Sequence, residues 1–365
     1  MSERISPTVV IGAGICFKSN FENSLDILGS DTQRVILDSN HAALTKVKSG
    51  LTIQADARFL PLKNQQDTTA VVAIPHHLPA ITELVARGCR RLIVEKPLVN
   101  NTSELTALEE LLKQHPDIKL FSLDYYQQKF YPFDILTGKI GVSDPRFQYV
   151  TNTGNGSISK SLIGSLFDRV GEIRGIDLEL IEGGELGVPD LDRRPWLEYD
   201  PVAGGVLLDL GTHAFGPLFY SGLVSEISVI SASRKILAPD RKSFLCGTGG
   251  KPEILAKAKL VAKTAQGQVN INFKVGKVPY EGRRSEFRIY GDKAQLVMEL
   301  QRGGSLKIKS GREKTLEMKL KAGIDPYQLA LKEADGFFKG EISCDEYYQA
   351  MRKAIVLIDQ IKAVS

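Results

Sequence analysis

The chain is poor in cysteine, and its charge is never gathered into runs. Cys16, Cys89, Cys246 and Cys344 stand far apart among 365 residues and form no C-x-x-C pair. That spacing supports neither a zinc site nor a disulfide framework, and it fits a reducing compartment. No apolar run approaches the roughly 20 residues that a membrane-spanning helix needs. Lysine and arginine are scattered and the formal net charge is only +4, so no nucleic-acid partner is implied. A β-branched run begins at Thr8 and leaves no room before it for a signal peptide, so a cytoplasmic protein is expected. Internal repeats and low-complexity tracts are also missing. What is present is 42% hydrophobic and 25% charged residues, the balance of a soluble globular protein, in a chain long enough for two domains.

The first third alternates strand and helix. Residues 8–11 are short and β-branched and stop at Gly12-Ala13-Gly14, a buried strand entering a tight turn. Residues 34–37 form a second strand that ends at Asp38, a little over 20 residues beyond the glycine turn, the separation of a βαβ dinucleotide site. The glycines would bring main-chain N–H groups and a helix N-terminus to a pyrophosphate. Asp38 would accept hydrogen bonds from ribose hydroxyls and repel a 2′-phosphate, which favours NAD over NADP. The third glycine position of the fingerprint is Phe17, a bulky residue where the helix should press on the sheet. The glycine turn alone is equally an ordinary strand–turn–helix junction, and Lys18 beside it is either a phosphate contact or a solvated lysine.

Residues 69–74 are the next strand, broken by Pro75 and followed by His76 and His77, then a helix over residues 79–87 capped near Gly88. Residues 91–94 and 120–123 are further strands, the first ending at Glu95-Lys96-Pro97. The alternation predicts an N-terminal Rossmann domain with a doubly wound parallel sheet, in residues 1–122. Ligands lie beyond the carboxyl ends of such strands. The expected cofactor contacts are therefore Gly12, Gly14, Ile15, Asp38 and Ser39, with Ile74, Pro75, His77, Glu95 and Lys96. No third ligand stands near the two histidines, so no metal site is expected.

Residues 124–129 (Asp-Tyr-Tyr-Gln-Gln-Lys) would suit a cleft or an exposed loop. Residues 151–165 read as a loop and residues 168–181 as a helix. From residue 226 to 318 short alternating segments recur, which predicts a large, mostly antiparallel open sheet within a C-terminal α+β domain, residues 123–365. Two closing helices are expected, at residues 326–339 and 344–362. Between these lies Gly204-Gly205-Val206-Leu207-Leu208-Asp209-Leu210-Gly211-Thr212-His213. In a helix, Asp209 and His213 would leave from one face, either as an acid/base pair for a hydroxyl proton or as a chance pair on a polar face. The glycines would let a backbone or a ligand come close.

With these pieces in order, the chain resembles the glucose-fructose oxidoreductase / inositol dehydrogenase / MocA family. The resemblance rests on residues 71–77, on Glu95-Lys96-Pro97-Leu98 and on residues 204–213. It implies a Rossmann domain followed by a domain whose open sheet serves as an oligomer interface, hence a homodimer or homotetramer. It also implies catalytic roles for Lys96, Asp209 and His213, and a cis bond between Lys96 and Pro97. A hydride would pass between nicotinamide and a secondary hydroxyl or ketone of a sugar, cyclitol or sugar derivative. His213 would be the acid/base, Lys96 would stabilise the alkoxide, and Asp209 would orient substrate or imidazole. Tyr125 and Lys129 are further expected substrate contacts; Lys160, Arg169 and Arg174 are equally surface residues. The alternatives are a non-catalytic NAD(P)- or sugar-sensing regulator, for which Phe17 speaks, and a reductase of another carbonyl or imine.

Overall fold

A computed structural model describes residues 8–14, 22, 24–28, 34–47, 51–54, 68–152, 156–247, 249–280, 282–300, 304–310 and 315–365. The chain divides into two units, residues 1–125 with 327–348 and residues 126–326 with 349–365.

Among the described residues the first unit has six strands, β1 (Thr8–Ile11), β2 (Arg34–Asp38), β3 (Leu51–Gln54), β4 (Thr69–Val72), β5 (Arg91–Glu95) and β6 (Lys119–Leu123). Their order is β3-β2-β1-β4-β5-β6 and every neighbouring pair is parallel, which is the Rossmann arrangement. β1 and β4 are buried along their whole length, as strands covered on both faces must be. β3 is an addition to the sequence reading. The helix after β4 runs His77–Ala86, starting two residues earlier than expected, and Gly88 follows it with a left-handed φ of 92°.

Helix Pro326–Lys339 was expected within the C-terminal domain, yet most of it groups with the first unit. Phe337 packs on Phe121 of β6 at 6.3 Å between ring centroids, and the Lys119 Nζ donates to the Phe338 carbonyl at 2.7 Å. Those contacts cover the β6 end of the parallel sheet, whose bare side chains would otherwise meet water.

Among the described residues the second unit carries ten strands: β7 (Val150–Asn152), β8 (Ile173–Glu182), β9 (Glu226–Leu237), β10 (Phe244–Cys246), β11 (Leu255–Thr264), β12 (Gly267–Lys277), β13 (Arg284–Gly291), β14 (Gln295–Glu299), β15 (Ser305–Lys309) and β16 (Leu316–Leu320). The order is β10-β9-β11-β12-β8-β13-β14-β15-β16-β7. Only the β8–β12 pair is parallel. The fold is thus α/β, a Rossmann sheet followed by a large, mostly antiparallel sheet.

Residues 168–181, expected as one helix, are corrected here. A short helix, Leu166–Val170, stops at Gly171 (φ 77°), where a side chain would strike the Asp292 carboxylate, and β8 begins two residues later. The alternation Ile176, Leu178, Leu180 buries every second residue, which is strand periodicity. Those residues, with Ile271, Phe273 and Val275 of β12 and Phe287 and Ile289 of β13, form the inner face. The outer face is polar and paired across strands: Lys274 to Glu179 at 2.9 Å, Asn272 to Asp177 at 2.9 Å and Tyr290 to Asp177 at 2.7 Å. The closing helix runs Asp345–Val364.

Candidate functional site

In the first unit, the end of β1 and the end of β2 are tied together. The Gly12 N–H donates to the Leu37 carbonyl at 2.8 Å, and the Ala13 N–H donates to Asp38 Oδ2 at 2.7 Å. The other Asp38 oxygen accepts from the Asn40 N–H at 2.7 Å. Two main-chain bonds, one to each oxygen, fix the orientation of this carboxylate. Gly12 has φ 102°, and a Cβ there would lie 2.5 Å from the Ala73 carbonyl oxygen and 2.7 Å from the Ile74 side chain. Glycine is therefore needed by the sheet itself. Gly14 is exposed and a Cβ there would meet nothing among the described residues. These features fit a dinucleotide. Ser39 is exposed beside Asp38. Ile15, Phe17 and Lys18 lie outside the described residues.

The turn after β4 and the turn after β5 clasp each other. The His77 ring Nδ1 pairs with the Pro97 carbonyl at 2.6 Å, and Asn100 Nδ2 donates to the Pro75 carbonyl at 3.2 Å. The Lys96–Pro97 peptide bond is cis, and the Lys96 N–H donates to the Leu123 carbonyl of β6 at 3.0 Å. Asn101 then caps helix Thr102–Gln114 by accepting from Glu104 N–H, while the Glu104 carboxylate accepts from the N–H of Asn100, the residue before the cap, at 2.9 Å. Lys96 and Glu95 are thus buried on a segment tied at both ends. Ile74 and Pro75 are half-buried and His76 exposed. Tyr125 stacks on Tyr327 at 4.2 Å.

Burial lowers the His77 pKa to about 4, against the raising effect of its bonds to the Pro97 and Leu98 backbone, with the Lys96 and His76 charges adding to the lowering. The folded value lies below the unfolded one, near 6.5, so the neutral ring favours folding above pH 6.5 and that advantage is lost as pH falls toward 4. The difference corresponds to about 3 kcal/mol. Urea unfolding across this range should show wild type losing that much more stability than His77→Gln. Parallel losses in the two proteins would refute the assignment.

In the second unit, Asp209 sits on a five-residue π-helix, Leu207–Gly211, that continues directly into α-helix Thr212–Tyr220 with His213 in its first turn. Single π turns recur at functional sites. The start of this segment is held by Glu253: its carbonyl accepts from Val206 N–H at 2.9 Å and its carboxylate from Leu207 N–H at 3.0 Å. Gly205 has φ 95° and lies against that carboxylate, while a Cβ on Gly204 would lie 2.5 Å from the Asp200 carbonyl oxygen. The two glycines admit these close approaches of backbone and of Glu253. The helix is laid on the inner face of the sheet by Phe215, whose ring lies 4.5 Å from that of Phe273.

His213 is buried, its imidazole stacked on Tyr126 with 4.0 Å between centroids and 20° between planes. The Lys129 ammonium stands 3.9 Å from the centre of the same Tyr126 ring and donates to the Leu300 carbonyl at 2.9 Å, a cation–π contact of the ordinary kind. Lys129 is itself buried. Lys160 is exposed, Arg169 donates to Ser165 and Arg174 pairs with Glu172.

Asp209 faces a cluster that the sequence reading did not assemble. Arg194 donates to both of its oxygens at 3.2 Å, one from each terminal nitrogen. Arg194 also binds Asp190 through Nε at 3.0 Å. The Lys277 ammonium, fully buried at the end of β12, binds Asp190 at 2.8 Å, the Leu186 carbonyl at 3.1 Å and Glu182, and stands 3.6 Å from Asp209. Burial opposes the Arg194 charge, but Asp209 and Asp190 outweigh it and hold its pKa well above the ordinary value. Burial likewise opposes ionisation of Asp190, and Lys277 and Arg194 outweigh it. Desolvated charges persist only when paired in this way.

No family model matches the sequence and no curated relative aligns with it. Solved structures do resemble it along almost the whole chain. A 3-ketoreductase from Actinomadura kijaniata, in complex with NADP and TDP-benzene, is 17% identical, covers 98% of this chain and 97% of its own, and superposes with a TM-score of 0.70. A levoglucosan dehydrogenase, in complex with NADH and levoglucosan, is 15% identical over 99% of this chain and 98% of its own, with a TM-score of 0.66. An oxidoreductase from Thermotoga maritima gives 16% identity, 99% and 97% coverage and a TM-score of 0.68. At such identities the likeness is one of fold.

Proposed function

We propose that this protein is an NAD(P)-dependent oxidoreductase of the glucose-fructose oxidoreductase / inositol dehydrogenase / MocA type, acting on a secondary hydroxyl or ketone of a sugar, cyclitol or sugar derivative. One observation carries the reading: a 3-2-1-4-5-6 parallel sheet whose β1 turn is fastened to the carboxylate ending β2. Three neighbours of this fold being oxidoreductases, one in complex with NADP and TDP-benzene and one with NADH and levoglucosan, gives it support.

Residues 1–122 would hold the cofactor, with Gly12, Gly14 and Ile15 at the pyrophosphate, Asp38 and Ser39 at the adenosine ribose, and Ile74, Pro75, His77, Glu95 and Lys96 toward the nicotinamide. NAD, when bound, supplies the acceptor for the hydride leaving the carbinol carbon. His213 takes the hydroxyl proton, and Lys96 lowers the energy of the alkoxide by its charge in a dry environment. Asp209 orients the substrate hydroxyl. Tyr125 and Lys129 complete the proposed substrate-binding set, and assembly through the C-terminal sheet into a dimer or tetramer is part of the same proposal.

Calorimetric titration followed by assay against a panel of polyols and sugars tests this reading. NAD should bind at least about ten-fold more tightly than NADP, since Asp38 repels a 2′-phosphate, and at least one panel member should reduce it. Cofactor binding with no turnover anywhere would favour the sensor reading instead.

A further inference from the structure

Asp209 receives a two-point hold that its own helix does not provide. We infer that Arg194 is a positioning residue for Asp209, fixing the orientation of the carboxylate that the proposed reaction uses. The inference rests on the proposed dehydrogenase reading.

Three observations carry it. The guanidinium donates one N–H to each Asp209 oxygen at 3.2 Å, the paired geometry that a planar fork offers and an ammonium does not. Arg194 is itself fixed from the far side by Asp190, and Asp190 is fixed by the fully buried Lys277. The backbone beneath it is set as well: Arg194 N–H closes helix Val188–Arg193 on the Asp190 carbonyl at 2.9 Å, and Val188 N–H reaches the Val278 carbonyl just past β12 at 3.3 Å. The chain of contacts therefore runs from the sheet through Asp190 and Arg194 to Asp209. The raised Arg194 pKa agrees with a guanidinium shared by two carboxylates.

The experiment is a double-mutant cycle of Arg194→Lys with Asp209→Asn, read by steady-state kinetics and by urea unfolding. Arg194→Lys keeps the charge and loses the fork. It should lower kcat by about ten-fold or more, with KM changed by less than about three-fold, the mark of misplacement without lost binding. On the Asp209→Asn background it should lower kcat no further, and Arg194→Gln should behave as Arg194→Lys does. A kcat within about two-fold of wild type, or the same loss on both backgrounds, overturns the inference. Wild type inert toward every sugar would count against the dehydrogenase reading alone, because the unfolding cycle still decides the contact. The shift in unfolding midpoint caused by Arg194→Lys should shrink in Asp209→Asn, and a full-sized shift there overturns it.

Discussion

Turnover by His213→Ala is expected to fall about a thousand-fold, within the range removed by loss of a general acid/base. The imidazole is buried on the first turn of an α-helix and backed by the Tyr126 ring. Its orientation is therefore set before any substrate arrives. NAD affinity should stay within about two-fold of wild type, since the contacts proposed for the cofactor are on other residues, and kcat should carry the loss. Exogenous imidazole should restore part of the rate by refilling the space. Turnover at the wild-type level would remove His213 from the chemistry.

The largest effect on stability is expected at Lys277. Its ammonium is fully buried and holds Glu182 and Asp190, with Asp209 at 3.6 Å. Lys277→Met keeps the stem and removes the charge, which leaves the interior carboxylates with Arg194, and Asp190 also with the exposed Arg193 at 3.5 Å. Breaking a buried ion pair from one side costs about 3–5 kcal/mol, because the charge left behind is uncompensated. Urea unfolding should show a loss of that size. Adding Asp190→Leu should recover part of it, since a well-packed apolar pair removes the stranded charge. A loss below about 1 kcal/mol would mean that water or another cation reaches the cluster.

The parallel sheet was legible because its strand centres are buried and read as short apolar runs, β-branched throughout at residues 8–11 and Leu-Ile-Val at residues 92–94. β3 was not: Leu51-Thr52-Ile53-Gln54 is short and alternates with polar residues. Residues 173–182 misled for a different reason. Leucine, isoleucine and glutamate suit either element by composition, and only the two-residue period of Ile176, Leu178 and Leu180 marked a strand. That period also held an unread signal. Extended by two, it puts Glu182 on the inner face, and Val269, Ile271, Phe273 and Val275 put Lys277 there. Two opposite charges at inward positions of adjacent strands imply a buried pair.

Asp209 and His213 were legible as a motif, while the partners of Asp209 were not. Arg194 and Lys277 come from a helix end and a strand end remote in sequence.

Transfer of label tests the central claim most directly. Carbon-deuterated sugars and cyclitols, incubated with the protein and NAD, should yield NADH carrying one deuterium by mass spectrometry, and His213→Ala should yield almost none. Tight NAD binding with no deuterium moved from any member of the series would contradict the account.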